Sequence, residues 1–98
     1  MKLAELFKSI REESLSKDQL EDYHTQLSAL YAEMELELAV LEKEMAIFLD
    51  LSEEKSVAGA ERKWNATEKG QRMIDLKHYL RASGKMLSSL RSRLYSVY

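Results

Sequence analysis

Ninety-eight residues are enough for one small domain and too few for two. With a third of the chain charged and 45% apolar, the composition is that of a folded, soluble protein. There is no proline and there are only three glycines, which excludes a β-sandwich or a loop-rich enzyme, and the lack of cysteine excludes disulfides and thiolate metal sites. The start Met1-Lys2-Leu3-Ala4-Glu5 has no long apolar run and no segment reaches the length of a membrane span, so a cytoplasmic protein is expected, without membrane association.

The charges are segregated. Residues 1–51 carry five Lys/Arg against twelve Asp/Glu, residues 52–70 four against four, and residues 71–98 six against one. Regions of opposite sign point to an internal electrostatic fit or to an anionic partner.

In chain order, Leu3, Leu6, Phe7 and Ile10 fall at i, i+3, i+4 and i+7, one face of a short N-terminal helix within residues 1–14. Ser14-Leu15-Ser16 interrupts it, and Ser16 with Gln19 reads as a capping box for the next helix. A long acidic helix follows over 17–51, about 52 Å at 1.5 Å per residue. The alternating tract Met34-Glu35-Leu36-Glu37-Leu38 belongs to it, since Glu, Leu and Met are strong helix formers.

On a helical wheel Met34, Leu38, Leu41, Met45 and Phe48 cluster in one stripe. Leu36, Val40, Ile47 and Leu51 form a second, about 130° away. One antiparallel neighbour covers one such stripe. The second is therefore expected to be an oligomer interface unless the N-terminal helix folds back over it.

Residues 52–70 are a connection, with a possible short helix over Ser56–Trp64 that Gly59 weakens. Asn65 with Glu68 forms a second capping box and Thr67 is a rival cap, so the last helix is expected to begin near 66–68 and to span 67–96. Asn65-Ala66-Thr67 also fits a glycosylation sequon, which carries no meaning without a secretory signal. Met73, Leu76, Leu80, Ser83, Leu87, Leu90, Leu94 and Val97 give the last helix its seam. Only Ser83 breaks it, and Gly84 beside it would permit a close backbone approach. The expected architecture is all-α: a single domain, 1–98, built as an antiparallel helical hairpin with a short N-terminal helix. It is coiled-coil-like and associates into a bundle or ring.

No catalytic set is credible, and neither cofactor nor metal is expected. Glu21-x-x-His24 and Asp75-x-x-His78 resemble halves of a di-metal site. In a hairpin turning near residue 60, however, their histidines would lie about 25 Å apart. The acids Glu33, Glu35, Glu37, Glu42 and Glu44 read as a solvated face, as a complement to the cationic last helix, or as both.

The informative constellation is basic. Lys77, Arg81 and Lys85 step by four along the last helix, and Arg72, Arg91 and Arg93 extend the charge. Arg62, Lys63 and Lys69 bracket Trp64, the only tryptophan. Cations beside an aromatic ring suit single-stranded nucleic acid, because charge neutralises phosphates while the ring stacks on a base. The competing reading pairs these cations with the acidic helix and uses Trp64 to plug the end of the hairpin core.

The layout over residues 20–95, a long acidic helix leading into Ser56-Val57-Ala58-x-Ala60-Glu61-x-Lys63-Trp64-x-Ala66-Thr67 and a basic heptad helix ending in Leu87-x-x-Leu90-Arg91, resembles bacteriophage proteins of the UvsY-like recombination-mediator type. That resemblance implies a homo-oligomer that binds single-stranded DNA, helps displace the single-strand-binding protein and loads a RecA-like recombinase. By position the contacts would be Lys63, Trp64, Lys69, Arg72, Lys77, Arg81 and Lys85. The alternative is a protein-interaction module, a coiled-coil adaptor or a phage-encoded inhibitor of a host machine, acting through its acidic helix.

Overall fold

A computed structural model describes residues 3–12 and 14–97; the expected helical positions 1, 2 and 13 and the side chain of Val97 lie outside the described residues. The chain is all-helical over those residues: α1 (Leu3–Glu12), α2 (Lys17–Leu51), α3 (Val57–Asn65) and α4 (Glu68–Val97). It divides into two compact units. One contains residues 1–33 and 81–98, the other residues 34–80. In each, the segments of α2 and α4 lie side by side in antiparallel fashion, as expected of a hairpin.

The first unit is built around α1. A ten-residue helix is marginal by itself in water, and what holds α1 is burial of the face that its spacing marked. Leu6 and Ile10 are fully buried against Leu20 and Leu27 of α2 and Leu87 and Leu90 of α4. Leu3 and Phe7 pack at the edge of that cluster. Each fully buried aliphatic side chain is worth about 1.5–3 kcal/mol relative to exposure. The Arg93 guanidinium donates to the Ile10 carbonyl at 3.3 Å, so a cation meets one of the carbonyls left without an intrahelical partner at the end of α1. The N-terminal helix thus packs on its own chain.

The entry to α2 is the expected capping box. The Ser16 amide donates to the Gln19 side chain at 2.9 Å, and the Gln19 amide donates to the Ser16 hydroxyl at 3.3 Å. Ser83 occupies the α4 seam fully buried, and its hydroxyl has no hydrogen-bond partner. Gly84 does not serve the close backbone approach expected of it. A Cβ there would meet only the Tyr31 ring, at 3.9 Å, which is ordinary van der Waals contact.

The second unit buries Met34 and Leu41 of α2, Ala60 and Trp64 of α3, and Met73 and Leu76 of α4. The short helix of the connection forms despite Gly59, because the Ser56 hydroxyl accepts from the Gly59 amide at 3.1 Å and caps it. At the α3–α4 corner Thr67 is the cap. Its hydroxyl donates to the Trp64 carbonyl at 2.6 Å and accepts from the Gly70 amide at 3.0 Å.

The close approach falls at this corner. A Cβ on Gly70 would lie 1.9 Å from the Trp64 carbonyl oxygen and 2.8 Å from the Asn65 Cα. Both obstacles are backbone, so neither can swing aside. Gly70→Ala is therefore expected to destabilise the protein by about 1–3 kcal/mol through overpacking, read as a lower midpoint in urea unfolding. Gly84→Ala, which meets no such obstacle, should be neutral or slightly stabilising in the same measurement.

Candidate interaction surfaces

The inner stripe of α2 is the one the second unit uses. Met34 and Leu41 are buried, while Leu38, Met45 and Phe48 are half-buried. The outer stripe is left open: Leu36 is 71% exposed, Val40 57%, Ile47 60% and Leu51 78%. The apolar face of α1 is spent on Leu20, Leu27, Leu87 and Leu90 instead. Four large apolar side chains in one row are on the order of the few hundred Å² at which an exposed patch marks an interaction site.

Cations of the second unit are largely answered by acids. Arg72 grips Glu37 with two hydrogen bonds, Nε to Oε2 at 2.6 Å and Nη2 to Oε1 at 3.0 Å. The Lys69 ammonium lies 3.0 Å from Glu44, and Lys63 pairs with Glu54. The hydrogen bond from Arg72 holds the Glu37 carboxyl below its ordinary value and raises the guanidinium in return; partial desolvation opposes both shifts. Glu54 is lowered in the same sense by its hydrogen bond from Lys63.

Trp64 is 3% exposed, with its ring centroid 5.5 Å from that of Phe48 and the planes tilted by 57°. A base cannot stack on it. The expectation of Trp64 as a stacking platform is therefore corrected: the ring plugs the core beside Phe48. Of the remaining expected contacts, Lys63, Lys69 and Arg72 are each engaged with an acid of α2 or of the segment after it. Lys77, in one unit, and Arg81 and Lys85, in the other, are exposed and form no ion pair among the described residues.

The first unit carries a surface that the sequence reading did not single out. α1 and α4 enclose an open groove of about 400 Å³ whose lining includes Phe7, Ile10 and Met86, with Arg11, Lys85 and Arg93 around it. No acid lines it. The signal was present as Arg11, one residue past the apolar face of α1, and as Lys85 and Arg93 eight apart on α4. Only the packing of α1 brings them to one place.

A smaller hollow of about 230 Å³ in the same unit is lined by Glu21, His24, Arg91, Leu94 and Tyr95. There the Arg91 Nε donates to the His24 Nε2 at 3.5 Å. Among the described residues no group of three or more His, Asp or Glu gathers as a metal site, and no helix is long and apolar enough to cross a membrane.

The geometry defines a class, an all-helical chain in which α2 and α4 pair and one apolar face of α2 is open. No protein-family model, curated protein or solved structure matches the chain.

The Glu37–Arg72 pair sets a pH dependence. Because Glu37 is lowered in the folded state, its contribution is complete above the ordinary carboxylate range and is lost as pH falls through the lowered value. Both side chains are almost half exposed, so Glu37→Gln is expected to cost less than about 1 kcal/mol at pH 7. The difference from the parent should shrink as the pH is taken below the ordinary carboxylate range, as measured by urea unfolding at a series of pH values from 7 downward.

Proposed function

We propose that this protein is a non-enzymatic, self-assembling protein-interaction module whose working surface is the outer stripe of α2. One observation carries the reading: Leu36, Val40, Ile47 and Leu51 remain exposed although the chain possesses a further amphipathic helix, α1, that could have covered such a face and packs elsewhere. An apolar row of this kind is stabilised by a partner that removes it from water, at about 25 cal/mol per Å² of apolar surface. The acids around it keep the isolated chain soluble until that partner arrives.

Substitutions in the stripe test this directly. Because both positions are exposed, Leu36→Glu with Ile47→Glu should change the stability of a single chain by less than about 0.5 kcal/mol per site. The same double variant is expected to reduce the light-scattering mass to that of one chain, with helicity unchanged by circular dichroism. A parent protein that already scatters as a single chain at high concentration would refute the proposal.

Single-stranded nucleic acid is the second reading, favoured by one observation: Lys77, Arg81 and Lys85 are exposed and form no ion pair among the described residues. Assembly would multiply this modest charge into a surface of useful avidity. In that form the module would act as the resemblance to recombination mediators implies, handing single-stranded DNA to a recombinase in a phage-infected cytoplasm. Lys77→Glu with Arg81→Glu is expected to abolish binding of a single-stranded oligonucleotide at low salt. Parent affinity should fall steeply as salt rises, and binding indifferent to both salt and substitution would remove this reading.

A further inference from the structure

Resting on the proposed self-assembly, we infer that the outer stripe of α2 docks on the same stripe of a second copy of this chain, the two helices running antiparallel about a two-fold axis between Lys43 and Glu44. The spacing of the stripe carries this. Leu36, Val40, Ile47 and Leu51 are separated by four, seven and four residues, so the row reads the same from either end. Turned end for end, one copy sets its Leu36 level with Leu51 of the partner and its Val40 level with Ile47. The wheel agrees: Leu36 and Leu51 lie about 30° to opposite sides of the row's centre, and Val40 and Ile47 about 10°. Side chains at one level therefore lean to opposite sides of the seam and interleave, as they do where helices pack. All four are exposed in the single chain, and the row lies wholly within the second unit.

Charge favours this arrangement over a parallel one. On the wheel of α2 the line of the row continues toward the N-terminus as Asp18, Asp22, Ala29 and Glu33. Two parallel copies in register would set each of these exposed carboxylates against its counterpart, and like charges brought together at an interface cost binding energy. In the antiparallel pair Glu33 falls past the partner's α2, which ends at Leu51. The charges beside the row itself balance. Glu44 is answered by Lys69 at 3.0 Å, while Lys43 and Asp50, exposed and in no ion pair among the described residues, are of opposite sign. Across the seam Asp50 lies about 9 Å along the helix axis from Lys43 of the partner, a span within reach of the flexible lysine stem. Because one face serves both copies, the contact is isologous and closes at two chains.

The chain contains no cysteine, so introduced thiols report the pairing. Leu36→Cys and Leu51→Cys are made as separate variants at exposed positions, and cysteine is apolar enough to leave the row intact. In the antiparallel pair each thiol lies about 22 Å along the axis from its own counterpart and level with the thiol of the other variant. Neither variant alone is expected to link under mild oxidation. An equal mixture should give a disulfide-linked species with one chain of each, read by non-reducing electrophoresis and mass spectrometry, and the parent should scatter as two chains.

Linked pairs from either variant alone would reveal a parallel arrangement and overturn the inference while leaving self-assembly through the stripe in place. An unlinked mixture from a parent that assembles would overturn it as well, as would a parent mass above two chains. A parent of single-chain mass would overturn both this pairing and the self-assembly on which it rests. Glu35→Cys, on the far side of α2, mixed with Leu51→Cys controls for chance collision. Linking there as strong as within the row would count against the inference.

Discussion

The structure depends on a mismatch within one helix. α2 carries two apolar stripes about 130° apart on its wheel, and the chain supplies partners for one. The inner stripe receives α4, and Trp64 of α3 packs on Phe48 at its end. The candidate cover for the outer stripe, α1, has a better site. Its Leu6 and Ile10 reach complete burial among four leucines of α2 and α4. With α1 engaged there, the outer stripe is left exposed.

Much of the architecture was legible from the chain alone because its signals are local. The bounds of α2 follow from Ser16 and Gln19 at one end and the end of the apolar register at Leu51. The buried face of α1 follows from four residues at helical spacing. The start of α4 follows from Thr67, whose hydroxyl caps it. These features are written within one or two helical turns, where propensity and periodicity act.

What escaped notice depends on the pairing of distant segments. The partners of Glu37 and Glu44 lie 35 and 25 residues away, at Arg72 and Lys69, and sequence spacing does not give the register that joins them. The same lack of register made Trp64 look available to a ligand, although Ala60 four residues earlier was a hint that one face of α3 was buried. Gly70 was read only as a residue of the connection, but the tight turn between α3 and α4 lays its Cα against the Trp64 carbonyl. Gly84 drew attention through its neighbour Ser83 in the seam, yet only a tyrosine ring faces it.

Charge segregation acquires a definite meaning once these pairings are known. Part of the opposition between an acidic first half and a basic last helix is spent inside the second unit, on Glu37 with Arg72 and Glu44 with Lys69. What remains unpaired is not a uniform excess of either sign, since the chain as a whole is at −2. The cations outside these pairs include Lys77 and Arg81 of α4 and Arg11, Lys85 and Arg93 around the groove, while Glu35 and Glu42 lie on the side of α2 away from its open apolar row. A polyanion would find the bases but would leave the apolar row in water. Burying that row takes an apolar partner, and another copy of the same chain carries one such face.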